Sequence, residues 1–153
     1  MNPFVATMSS ELDSVDSQIA DHYQDPYHFG NCEGATHQAE GKGSLSGDRV
    51  AIDLRIDERS GVLEEAWFEA DGSVYAQAAA SILVEYIEGL SREQLSEFSA
   101  TRMLELFETP IPVNLQKSGL LPWRVLQAAL ESPIHQDDED GVTFGGPHLG
   151  EEN

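Results

Sequence analysis

The most regular stretch of the chain alternates apolar and polar residues. Val50, Ile52, Leu54 and Ile56 are interleaved with Arg49, Ala51, Asp53, Arg55 and Asp57. A period of two with one apolar face predicts a half-buried strand over Arg49–Asp57. "DERSG" (57–61) puts a glycine at the exit of a hairpin connection, and Val62–Ala70 is the return strand. On that strand Ala66, Phe68 and Ala70 share one face, and Leu63, Glu65, Trp67 and Glu69 the other. A short strand near His37–Lys42 comes before the hairpin, inside a turn-rich segment holding Pro26, Gly30, Gly34, Gly41 and Gly43.

The period then changes. From Val74 to Glu88, Ala76, Ala79, Ala80, Leu83 and Ile87 recur at helical spacing, and small alanines let such a helix lie close on a sheet. Gly89 ends it. "SREQ" (91–94) is a capping box opening a helix to about Phe98. A further short helix covers Ala100–Phe107, and "TPIPV" (109–113) breaks it. Leu120–Glu131 is the last helix, with Leu121, Val125, Leu126 and Ala129 inward and Pro122 in its first turn. A first helix is expected near Leu12–Tyr23. Strands first and helices afterwards make an α+β sandwich with helices on one face of an antiparallel sheet. Residues 1–17 read as a loose arm, 18–132 as the folded domain and 133–153 as a disordered acidic tail.

Charge narrows the partners. Against 28 acidic residues stand 8 basic ones, a net charge of −20 over 153 residues. No Lys or Arg occurs before Lys42 or after Arg124. Phosphate backbones and anionic membranes are repelled by such a chain, whereas a basic protein partner or cations are attracted. High charge also serves solubility. A single cysteine excludes an intrachain disulfide. The first twenty residues have no basic start followed by an apolar run, and no segment has the length and apolarity of a membrane span. A soluble cytoplasmic protein is the expectation, with the oligomeric state left open.

Four frames carry a resemblance: "DHYQDPYHFG" (21–30), "SLSGD" (44–48), "ADGSVYAQAAAS" (70–81) and "QKSGLLPW" (116–123). Together, in this order and spacing, they resemble the landmarks of the IscU, SufU and NifU N-terminal domain family of iron–sulfur cluster assembly scaffolds. The likeness runs from about Ala20 to Glu131. It implies a three-stranded antiparallel sheet with helices packed on one side. It also implies a cluster site at Ser46, Asp48, Ser73 and Ser118. In the family three cysteines stand where the serines are, and the aspartate modulates release of the cluster. At the third position Lys117 is an alternative, and the register of Leu120–Trp123 favours Ser118. The family's chaperone-recognition stretch survives only in part, as "PIPVN" (110–114). The insertion typical of the SufU branch is not evident between Ser81 and Thr101.

The substitution of all three cysteines decides the expected chemistry. Clusters are held by thiolates. A thiol near pKa ~8.5 gives up its proton beside a metal, and an alcohol does not. Three hydroxyls and one carboxylate form a hard, weak site that ferrous iron and zinc avoid. Sulfur transfer to the site also needs an acceptor thiol. No cofactor is therefore expected, and the implied role is a non-catalytic binding or regulatory module that docks on the assembly machinery. The alternative is continued service in cluster assembly by weak binding of iron or cluster through other ligands. Cys32 with His28, gathered near Asp48, is the minor candidate for such ligands. Ser73 and Ser118 are also placed to cap helices. Catalysis lacks a base next to any of these serines and a G-x-S-x-G elbow, so no enzyme is expected. Trp67 is either an exposed anchor for a partner or packed under a loop.

Overall fold

The computed structural model describes residues 16–43 and 47–134. Helix α1 spans Ser17–Gln24, and Asp16 caps it by accepting a hydrogen bond from the Ile19 N–H. Strands β1 (His37–Lys42), β2 (Arg49–Ile56) and β3 (Leu63–Asp71) form one antiparallel sheet in the order β1-β2-β3. Helices α2 (Val74–Ile87), α3 (Arg92–Ser96) and α4 (Ala100–Glu105) follow. A 3-10 turn at Val113–Leu115 then runs into α5 (Gln116–Leu130). The α+β architecture with a three-stranded sheet stands. The arm at 1–15 and the tail from residue 135 on lie outside the described residues.

One face of the sheet carries α2 and α5, and α1 lies on α2. The alternation of β2 delivers Val50, Ile52 and Leu54 wholly into this core, where they meet Phe68, Leu83, Val125 and Leu126. The α2 stripe of Ala76, Ala79, Ala80, Leu83 and Ile87 is completely buried. Ala78, Ser81 and Val84 are buried as well, because α1 and α5 flank the helix. Among the described residues no helix is long and apolar enough to cross a membrane.

Three local expectations change. Leu63 lies in the core, on the same side as Ala66 and Phe68. The pairing runs Arg55 to Glu65 and then Ile56 to Leu63, so Glu64 is an extra residue that reverses the alternation. The last helix begins at Gln116, four residues ahead of Leu120, which places Pro122 inside it. Lacking an N–H, Pro122 leaves the Ser118 carbonyl without its helical partner. Pro133 and Ile134, assigned above to the tail, pair with the sheet: Pro133 bridges His37, and the Ile134 N–H donates to the Thr36 carbonyl. On the opposite border, Phe29 bridges Phe68 of β3, with bonds from Gly30 N–H to Phe68 O and from Phe68 N–H to His28 O. Each border of the sheet is thus partly covered by a non-strand segment.

Candidate functional site

The site forms where β2 begins and β3 ends. Arg49 pairs with Asp71 across the two strands, so Asp48 and Gly72 sit side by side just beyond them. Ser73 starts α2 as its N-cap, its Oγ accepting from the Ala76 N–H at 3.1 Å. The Asp48 side chain is turned inward, and the residue is 1% exposed. Its Oδ1 accepts the Ser73 N–H at 2.7 Å, and its Oδ2 accepts the Ser118 hydroxyl at 2.7 Å, with the Ser73 Oγ 3.4 Å away. A buried carboxylate is tolerated here because hydrogen bonds and the positive end of a 14-residue helix face it.

Gly72 makes this approach possible. Its φ is +112°, and a side chain there would run into the Asp48 carboxylate. On α5, Gly119 packs against Ile111 and Phe107 rather than against Asp48. Asp48, Ser73 and Ser118 therefore converge from three elements far apart in sequence. Ser46 lies outside the described residues. Lys117 is exposed while Ser118 is buried against Asp48, so the site takes Ser118. Ser118 lies in the first turn of α5 and caps nothing; the N-cap is Leu115, with no side-chain hydrogen bond.

Cys32 and His28 go elsewhere. The Cys32 N–H donates to Asp53 Oδ2 at 3.0 Å, five residues up β2 from Asp48, or roughly 16 Å along the strand. Burial pushes the Cys32 thiol up, partly offset by Arg55. His28 lies flat on Trp67, ring centroids 4.2 Å apart, with its Nδ1 2.8 Å from Glu88 Oε2. Trp67 is thus packed under the loop, and its Nε1 donates to Glu65. Among the described residues no three His, Cys, Asp or Glu side chains group to hold a metal ion.

Three further residues organise this region without a signal in the sequence pattern. Asp53 falls on the polar face of β2 yet is buried, accepting from the Cys32 N–H and the Gln38 side chain. Glu88, at the end of α2, gathers the Tyr27 hydroxyl, His28 and the Ala66 N–H. The Glu88 bond pushes the Tyr27 hydroxyl up to about 12. Ser81, in the middle of α2, lies 2.7 Å from His22 Nδ1, and His22 Nε2 lies 3.6 Å from Glu85. That order looks like a nucleophile, a base and an acid. Ser81 is fully buried, however, and its Oγ accepts the Tyr27 N–H, so it serves packing. The sequence pattern does not reveal them because each has a partner in the irregular segment between α1 and β1: Cys32 for Asp53, Tyr27 and His28 for Glu88, and Tyr27 for Ser81.

Residues 14–136 match the family described as the NifU-like N terminal domain. The "Iron-sulfur cluster assembly protein 1" of Oryza sativa subsp. japonica is 29% identical over 107 residues, 67% of this chain and 61% of that protein. The "Iron-sulfur cluster assembly scaffold protein IscU" of Buchnera aphidicola is 28% identical, covering 67% of this chain and 82% of its own. Among solved structures, an iron–sulfur cluster assembly scaffold protein for the SUF system from Fervidobacterium islandicum superposes with a TM-score of 0.63. It is 22% identical and covers 76% of this chain and 96% of its own. The N-terminal part of a NifU-like protein from Brucella abortus gives 0.61 at 17% identity, covering 76% and 91%. These two likenesses show a common fold.

Proposed function

This chain belongs to the NifU-like N terminal domain family, and we propose that it is a member whose cluster-holding chemistry is gone, leaving a non-catalytic binding or regulatory module. The carrying observation is the convergence of Asp48, Ser73 and Ser118, with the carboxylate taken up by serine donors. Hydroxyls do not ionise in the range where thiols do, so the donor set suits neither iron nor a cluster. The partner that fits is a protein of the iron–sulfur assembly machinery, since the relatives named above assemble clusters and the chain's charge of −20 favours a basic surface. The rival reading, weak iron binding through carboxylates and Cys32, finds no cluster of candidate ligands among the described residues.

The test is anaerobic incubation with ferrous iron, sulfide and a cysteine desulfurase, followed by visible absorption. The natural chain is expected to stay colourless after desalting. The triple variant Ser46→Cys, Ser73→Cys, Ser118→Cys is expected to take up a chromophore. A stoichiometric chromophore on the natural chain would overturn the reading.

A further inference from the structure

The hydrogen bonds at Asp48 tie together the start of β2, the first turn of α2 and the first turn of α5. We infer that they form a self-held clasp, in which two serines and a buried aspartate fix this corner of the fold without any bound ion. This goes beyond the proposed function, because it concerns what keeps the corner closed rather than what docks on it.

Four observations converge on it. First, Asp48 is 1% exposed, so its carboxyl group must be hydrogen-bonded within the protein. Second, the donors are different in kind. Ser73 supplies a main-chain N–H at the head of a helix, and Ser118 supplies a hydroxyl 70 residues away in sequence. Third, Ser73 Oγ already accepts from the Ala76 N–H, so its own proton is directed outward, toward Asp48 Oδ2 at 3.4 Å. Fourth, Pro122 lies four residues after Ser118 and cannot bond the Ser118 carbonyl. The turn of α5 that carries Ser118 therefore lacks one rung of its ladder. The Ser118–Asp48 bond supplies the missing restraint from the side chain. A thiol in place of the Ser118 hydroxyl is a poor donor and would loosen the hold on Asp48 Oδ2, while the Ser73 N–H keeps Oδ1.

A double-mutant cycle on the full chain tests the clasp. Ser118→Ala should lower the melting temperature by roughly 3–8 °C, because Asp48 Oδ2 loses a short buried hydroxyl bond in a chain of this size. Asp48→Ala should lower it further. In the Asp48→Ala background, Ser118→Ala should add little, since the partner is already gone. Ser118→Thr keeps the hydroxyl and should retain most of the stability, while Ser118→Cys should behave like Ser118→Ala. Should Asp48→Ala not fold, the Ser118 series decides alone, and a Ser118→Thr loss as large as that of Ser118→Ala would overturn the clasp. A chelator should leave the melting temperature of the natural chain unchanged. Strictly additive losses, or a melting temperature that falls on chelation, would overturn the clasp. Neither readout depends on the chromophore assay, so the two readings fail separately.

Discussion

At the residue scale, the candidate site rests on one glycine as much as on its polar groups. Gly72 at φ +112° is the closest approach: a methyl there would lie 2.8 Å from Asp48 Cα as well as striking its carboxylate. Gly72→Ala should therefore cost about 2 kcal/mol or more, from combined backbone strain and overlap, read by chemical denaturation. A loss near zero would mean that Asp48 can move away, and the site as described would be wrong. The sequence marked Gly72, Asp48 and Ser73 by their place in recurring frames. Asp53 shows the limit of such reading. Its alternation assigned it to solvent, and only the loop that folds back to place Cys32 over the strand makes it interior. Periodicity along one strand carries no information about what a distant segment lays across it.

At the element scale, boundaries followed local chemistry wherever that chemistry was local. The Ser91–Gln94 capping box forms with both its bonds, and α2 and β2 span nearly the expected ranges. Pro122 reads as a first-turn residue, whereas α5 begins at Gln116 and carries the proline inside it, continuing from the 3-10 turn at Val113–Leu115. His37 shows how elements are joined. Thr36 Oγ1 lies 2.8 Å from its Nδ1, and Arg92 of α3 donates to its Nε2 at 3.1 Å while also holding the Leu130 carbonyl of α5. Burial first, and Arg92 second, hold the His37 imidazole below its ordinary value of 6.5. As pH falls below about 6.5, the unfolded chain therefore takes a proton that the folded one refuses, and stability declines down to the folded value. His37→Gln should remove this component, so the difference in stability between variant and natural chain should change between pH 7 and pH 5. An identical pH profile for the two proteins would show that His37 does not titrate in this way.

At the scale of the whole molecule, the fold was legible because its two periodicities, two and 3.6, occupy separate parts of the chain. Its closure was not. Residues 28–30 bind the outer border of β3, and residues 132–134 bind that of β1, through main-chain bonds that leave no mark in the order of side chains. These strips bear on where the protein tolerates cutting. A fragment stopping at Leu130 would retain every helix and strand among the described residues, yet bare the Thr36 carbonyl and the Gln38 N–H to any extended peptide that passes. It should sediment as larger species than a fragment ending after Ile134, and equal sedimentation would show the strip to be dispensable. Two short stitches that no helix or strand assignment includes are thus part of the sheet's own boundary.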